Sequence, residues 1–235
     1  MRSLFVTFFL LISQADARNL VCVHGFMSPK AVMYPMARSF EKEGWDVINY
    51  GYSSRKDSIQ KHAQDLVGTL KEMAQDHPGE PIDFISHSMG GLVVRAAVNH
   101  PDCPIEAKIG KAVLIATPNR GSIFARKLSQ YRFCRWVLGK KAGKELMEKK
   151  DFSYLGRFPI TMDILVIAGT FGTNPWIEGV HDGKVGILEV CLETSYTLKC
   201  VKAGHSWISM HPRTIRLAKA FLKDTDIEIP LRKPL

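Results

Sequence analysis

The sequence predicts an α/β fold, a mostly parallel sheet flanked by helices. Three observations carry that prediction. Short apolar, strand-like runs alternate with helical patterns from Asn19 to Leu222, the order that lays parallel strands side by side with helices on both faces. The hydrophobic period switches from two to 3.6 across Ser86-His87-Ser88-Met89-Gly90, so a buried strand turns directly into a helix there. A hydrophobic fraction of 46% and a charged fraction of 23% over 235 residues, without repeats or low-complexity tracts, describe one globular domain with a substantial core.

The first residues stand apart from that pattern. Arg2 supplies a positive charge, Leu4 to Ile12 form an apolar run broken only by Thr7, and Ala15-Asp16-Ala17 offers a small-residue cleavage site. Charge, length and order are those of a secretory signal peptide over residues 1–17, with a mature chain starting at Arg18. The run is too short to cross a membrane, which takes about 20 apolar residues. The alternative is a buried N-terminal strand. Cys22 lies beyond the cleavage site, inside the next strand, and is not a lipoprotein acylation site.

From there the elements follow in order. Asn19–Val23 is a short strand ending in His24-Gly25-Phe26. Val32, Met33, Met36, Ala37 and Phe40 recur at helical spacing between Pro29 and Glu43, and Gly44 closes that helix. Trp45–Tyr50 is the next strand. Ile59, Ala63, Leu66, Val67 and Leu70 mark one face of a helix from Asp57 to Asp76, stopped by Pro78-Gly79. Ile82, Phe84 and Ile85 form the strand before Ser88, and Leu92, Val93, Ala96 and Ala97 the helix after it. Val113–Ala116 is a further buried strand, leading into Thr117-Pro118-Asn119-Arg120-Gly121-Ser122. Met162–Ala168 and Tyr196–Lys202 complete the strands, and Pro212–Leu222 is the closing helix. The last residues, with Pro230 and Pro234, read as a loose tail.

Residues 120–150 are unusual in charge. They hold ten basic residues (Arg120, Arg126, Lys127, Arg132, Arg135, Lys140, Lys141, Lys144, Lys149 and Lys150) against Glu145 and Glu148, a net +8 beside +9 for the whole chain. Phe124, Leu128, Tyr131 and Leu138 are helically spaced within the segment, with Phe133 and Trp136 nearby. A basic amphipathic helix suits an anionic membrane surface or substrate; it equally suits a solvated helix covering the domain. The stretch carries no nucleic-acid motif. The five cysteines (Cys22, Cys103, Cys134, Cys191, Cys200) are an odd set without zinc-ligand spacing, and Cys191 and Cys200 can pair if the chain between them folds back.

The chemistry gathers at the C-terminal ends of the strands, where parallel sheets build their sites. Ser88 has small residues two before and two after it, at a strand-to-helix turn that would expose its hydroxyl. Ser86 stands where this motif ordinarily has glycine, and serine is small enough for so crowded a turn. The competing reading is a plain helix N-cap serine. A serine hydroxyl needs a base, and the base an orienting group. His205 directly follows the last strand, in Gly204-His205-Ser206, and Asp182 precedes it in a loop, in Asp182-Gly183-Lys184-Val185. Asp163 and Glu178 are rival acids, although Asp163 starts a strand and so lies at the wrong end of the sheet. His24, His87 and His211 are rival histidines, the first two beside the motifs and the third at a helix start. The glycine of His24-Gly25-Phe26 permits a turn that aims the Phe26 N–H at Ser88, and the helix start gives Met89 a free N–H, so these two backbones are the expected oxyanion donors.

With the order Ser88, Asp182, His205, the chain resembles the α/β-hydrolases, specifically their secreted lipase and esterase group. The likeness spans Asn19 to Leu222 and rests on Val23-His24-Gly25-Phe26, Ser86-His87-Ser88-Met89-Gly90-Gly91, Ala116 to Ser122, Asp182 to Val185 and Gly204-His205-Ser206. The Thr-Pro-x-x-Gly-Ser stretch narrows it to compact lipases, whose trimmed sheet begins at the strand before the oxyanion loop. The resemblance implies an α/β-hydrolase domain over residues 18–235, with 120–150 a basic lid-like insertion. It also implies acyl transfer through an acyl-enzyme on Ser88, a lipid or acyl-ester substrate, and no metal or organic cofactor. A thioesterase or acyltransferase would use the same three residues. A silent hydrolase fold that binds a membrane or partner would need none of them.

Overall fold

The computed structural model describes residues 18–138 and 140–225. The expected signal peptide over residues 1–17 and the expected tail around Pro230 and Pro234 lie outside the described residues. Strands β1 (Asn19–Val23), β2 (Asp46–Tyr50), β3 (Ile82–His87), β4 (Ala112–Ile115), β5 (Ile164–Gly169) and β6 (Thr197–Val201) form one sheet in the order β2-β1-β3-β4-β5-β6. Every pairing is parallel, and β1 leads straight into His24-Gly25-Phe26. After β2 the chain crosses back to place β3 on the other side of β1. The order of winding therefore reverses between β1 and β3, and a crevice opens above their C-terminal ends.

Alternation along the strands divides the core in two. Val21, Val23, Phe84, Leu114 and Val166 point to one face, packed under α2 (Ile59–Asp76) and α3 (Met89–Val98). Leu20, Cys22, Ile85, Val113 and Ile167 point to the other, under α1 (Tyr34–Glu41) and α8 (Pro212–Leu222). A short α4 (Glu106–Ile109), whose Ala107 joins the first face, leads into β4. Strands buried on both sides read as continuous apolar runs, which is why the central ones were legible as such.

Two elements depart from expectation. The helix expected over 29–43 is a 3-10 turn at Lys30–Met33 followed by α1. Pro35 lacks an N–H and its ring crowds the carbonyl one turn back, so an α-helix can begin around it but not run through it. The basic amphipathic pattern of 120–150 is not one helix but three short ones: α5 (Ile123–Leu128), α6 (Arg132–Leu138) and α7 (Ala142–Glu148). Ser129 Oγ donates back to the Arg126 carbonyl at 2.7 Å, offering that turn an alternative to continuing the helix. At α7 the backbone reverses through Lys141 at φ 49°, and Gly143 lies so near the Leu138 carbonyl that a Cβ would sit 1.6 Å from it. Phe124, Leu128 and Leu138 consequently turn inward, while Tyr131, Phe133 and Trp136 stay exposed. All five cysteines carry free thiols, so the pairing of Cys191 with Cys200 does not form; Cys200 stands exposed on edge strand β6.

Candidate active site

β3 delivers Ser88 to the crevice on a strained turn. Its φ of 54° and ψ of −126° fall where L-residues rarely go, at a cost of about 1–3 kcal/mol that the surroundings must hold. They do so by contact. The Ser88 N–H donates to the Ile115 carbonyl at 2.8 Å, tying the turn to the end of β4. A Cβ on Gly90 would meet the Val23 and His24 carbonyls at 2.5 and 2.6 Å, so only glycine lets α3 start this close to β1. The serine at position 86 is fully buried, and its hydroxyl reaches the Val113 carbonyl at 3.4 Å, which accounts for its fit where the motif usually has glycine.

The other residues arrive from two further strand ends. Asp182 lies in the loop after β5, whose last residue, Gly169, would place a Cβ 2.6 Å from the Asp182 Cβ. His205 follows β6, and its own N–H donates to the Asp182 carbonyl at 2.9 Å. The side chains then line up: His205 Nδ1 lies 2.8 Å from Asp182 Oδ2, and His205 Nε2 lies 3.0 Å from Ser88 Oγ. With Nδ1–H donating to the carboxylate, Nε2 is left as the acceptor facing the hydroxyl. Burial pushes the Asp182 carboxyl upward. Hydrogen bonds from His205, the His205 charge, and the N–H groups of Lys184 and Val185 outweigh it and hold the carboxyl below the ordinary aspartate range. Asp163 sits exposed at the opposite end of β5, and Glu178 is exposed in the loop before Asp182.

The loop after β1 closes the other wall. A Cβ on Gly25 would come within 2.9 Å of Ser88 Cβ, so this glycine sets how near the loop lies to the serine. Among the described residues nothing accepts from the Phe26 N–H, and the Met89 N–H is the first of α3. The loop is held from the segment after β2. Tyr52 OH donates to the His24 carbonyl at 2.9 Å, and its ring stacks on the imidazole of His24 at 4.4 Å. Ser54 Oγ accepts from the Met27 N–H at 2.9 Å.

His87 has a part that the sequence did not disclose. It is buried, and its Nε2 lies 2.9 Å from the His205 carbonyl, so the residue beside Ser88 holds the backbone of the histidine that meets it. Burial first, and then the His205 charge, push its pKa down to about 3, so the ring is neutral and Nε2–H is a donor. Glu189 is a second unsignalled residue. Buried, with its carboxyl pushed up by that burial, it accepts from the Gly186 N–H at 2.6 Å and the Ile123 N–H at 2.5 Å. It thereby joins the Asp182 loop to the start of α5. Neither Tyr52, Ser54 nor Glu189 belongs to a spacing pattern that one sequence could reveal.

Ser88, His87 and His205 open into a cavity of about 320 Å³ whose far wall is apolar, built from Phe124, Leu128, Leu138, Leu146 and Met147. A family model described as a domain of unknown function (DUF7379) matches residues 11–138. The chain belongs to this family. No curated protein matches it by sequence. Among solved structures this DUF7379 member is similar to the mature form of the Bacillus licheniformis lipase BlEst2, with a TM-score of 0.70 at 19% identity over 88% of this chain and 93% of the lipase. It is similar to the metagenomic carboxyl esterase MGS0156 at a TM-score of 0.70 and 16% identity, over 89% of this chain and 76% of that one. The lin2722 gene product of Listeria innocua matches at a TM-score of 0.64 and 16% identity, over 91% and 96% of the two chains. The fold is that of the α/β-hydrolases.

Proposed function

We propose that this protein is a serine hydrolase of carboxylic esters, with Ser88 as nucleophile, His205 as general base and acid, and Asp182 as the orienting carboxylate. The observation that carries this reading is the unbroken line Asp182 Oδ2–His205–Ser88 Oγ at the base of the apolar cavity. In the first half-reaction Ser88 Oγ bonds to the ester carbonyl carbon while its proton passes to His205 Nε2. The Phe26 and Met89 N–H groups hold the oxyanion, the bond to the alcohol oxygen breaks, and His205 returns the proton to that oxygen. Water then repeats the sequence on the acyl-enzyme and releases the acid. Asp182, ionised by its hydrogen bonds, keeps the imidazole in the tautomer that this requires.

The cavity suits one acyl chain. At about 320 Å³ it is at the small end of ligand pockets, and its lining beyond Ser88 is hydrocarbon. The likeness to a lipase and a carboxyl esterase supports an ester as substrate class. Export through residues 1–17 belongs to the same reading. The test is labelling with a fluorophosphonate probe: the native protein should label, and Ser88→Ala, folded to the same melting temperature, should not. A native protein that stays unlabelled, or a Ser88→Ala variant that labels equally, sinks the reading.

A further inference from the structure

We infer that α6 is a fixed docking helix for an anionic lipid surface. The inference stands apart from the ester chemistry. On α6, Phe133 and Trp136 are 71% and 73% exposed, one helical turn apart, with ring centroids 6.2 Å from each other. Arg132 and Arg135, also one turn apart, lie beside them on the same short helix, and both are exposed. Among the described residues no carboxylate lies within ion-pair distance of Arg132, Arg135, Lys127 or Lys140. Large exposed rings rimmed by charged groups mark an interaction surface.

What covers them must accept both apolar rings and positive charge. An anionic bilayer does: the rings seat at the boundary of head groups and acyl chains, and the cations meet the phosphates. The apolar surface also continues inward. Leu138, at the end of α6, lines the cavity together with Phe124 and Leu128, so a lipid drawn from the docked surface would meet a hydrocarbon path. Among the described residues no helix is long and apolar enough to cross a membrane.

The platform is held at both ends. On one side Ser122 Oγ caps α5 through the Ala125 N–H, and Glu189 takes the Ile123 N–H. On the other, α7 buries Leu146 and Met147, its Ala142 N–H donates to the Asp57 carbonyl at 3.0 Å, and Glu145 Oε1 accepts from the Ile59 N–H at 3.1 Å. Arg55 reaches α6 itself, donating to the Val137 carbonyl. Docking therefore uses the arrangement as it stands.

The test is co-sedimentation of the native protein with vesicles of phosphatidylcholine containing about a quarter phosphatidylglycerol, at low salt. Native protein should partition onto these vesicles and not onto pure phosphatidylcholine. Lys127→Glu with Arg132→Glu and Arg135→Glu should weaken partitioning at least about a hundredfold. Phe133→Ser with Trp136→Ser should weaken it about tenfold or more, and the single change Trp136→Ser should remove most quenching of tryptophan fluorescence by brominated lipid. All are exposed positions, so unchanged melting temperatures confirm folding. The inference is overturned if the native protein ignores the anionic vesicles or if the charge-reversed variant binds them equally. Loss of binding on charge reversal alone, with the Phe133→Ser and Trp136→Ser variant binding as native, also overturns it. So does tighter binding to a single-stranded oligonucleotide than to vesicles, because that makes the surface a general polyanion site.

Discussion

Replacing His87 by phenylalanine tests whether the frame around Ser88 matters as much as the three residues in it. A planar aromatic ring is kept, though a slightly larger one, but the Nε2–H that meets the His205 carbonyl at 2.9 Å is lost. That carbonyl is then a buried acceptor without a partner, which costs about 1–3 kcal/mol. If the whole cost falls on the arrangement reached in the transition state, the rate drops roughly 5- to 150-fold, since each 1.36 kcal/mol is a factor of ten. The stability loss should be smaller than this cost, because His87 Nδ1 is itself buried without a partner and phenylalanine removes that defect. The assay is steady-state hydrolysis of a short p-nitrophenyl ester, with kcat falling and KM little changed. His87→Gln is the control: its amide nitrogen reaches about as far as Nε2 and should restore kcat to within about threefold. His87 is neutral above about pH 4, its pKa being pushed to about 3, so the acid limb of the rate profile should not move in His87→Gln. Full activity in His87→Phe, or a His87→Gln variant no better than His87→Phe at matched stability, refutes the reasoning.

Two further outcomes are expected. Asp182→Asn should lower kcat about a thousandfold or more by favouring the wrong imidazole tautomer, whereas Asp163→Asn, exposed at the far end of β5, should change it less than about twofold; kinetics of the two variants side by side decide it. Mass spectrometry of protein recovered from a secreting host should find a chain that begins at Arg18, and recovery of intact Met1 would remove export from the proposed function.

Most of the fold was legible because its signals are local. β3 and β5 are short apolar runs, α2 and α8 have one apolar face each, and Gly44 ends α1 at φ 82°. Ser88 was legible because a strand-to-helix turn forces small neighbours. Asp182 and His205 were legible only as the chemically suitable residues at the right ends of strands; it is the parallel order β3-β4-β5-β6 that carries them to Ser88. What escaped were the supports. Tyr52 and Ser54 each reach distant backbone through one hydrogen bond, and Glu189 takes two backbone N–H groups, one of them the distant Ile123; such bonds leave no period in a sequence. The helical period of 120–150 misled for a related reason. Phe124, Leu128, Tyr131 and Leu138 are spaced as one face, but the reversal at Lys141 and the close pass of Gly143 by Leu138 are tertiary facts.

The supports also explain how a strained serine is kept in place. Ser88 stands at a backbone angle that an isolated chain would leave, and the single bond within its own turn, from the Gly91 N–H to the Ser88 carbonyl at 3.1 Å, does not account for it. The restraint comes from four directions: Ile115 of β4 takes its N–H, Gly90 presses α3 onto the end of β1, Gly25 presses the following loop onto Ser88 Cβ, and His87 grips the His205 backbone. Each contact joins the ends of different strands, so the site is only as rigid as the sheet beneath it. Enlarging Gly25 or Gly90 would push these ends apart, whereas Ser86, whose hydroxyl has the Val113 carbonyl as its partner, adds bulk without doing so. The departure from glycine at position 86 and the strict need for it at position 90 thus have one cause: the free space lies toward β4, and none is left toward β1.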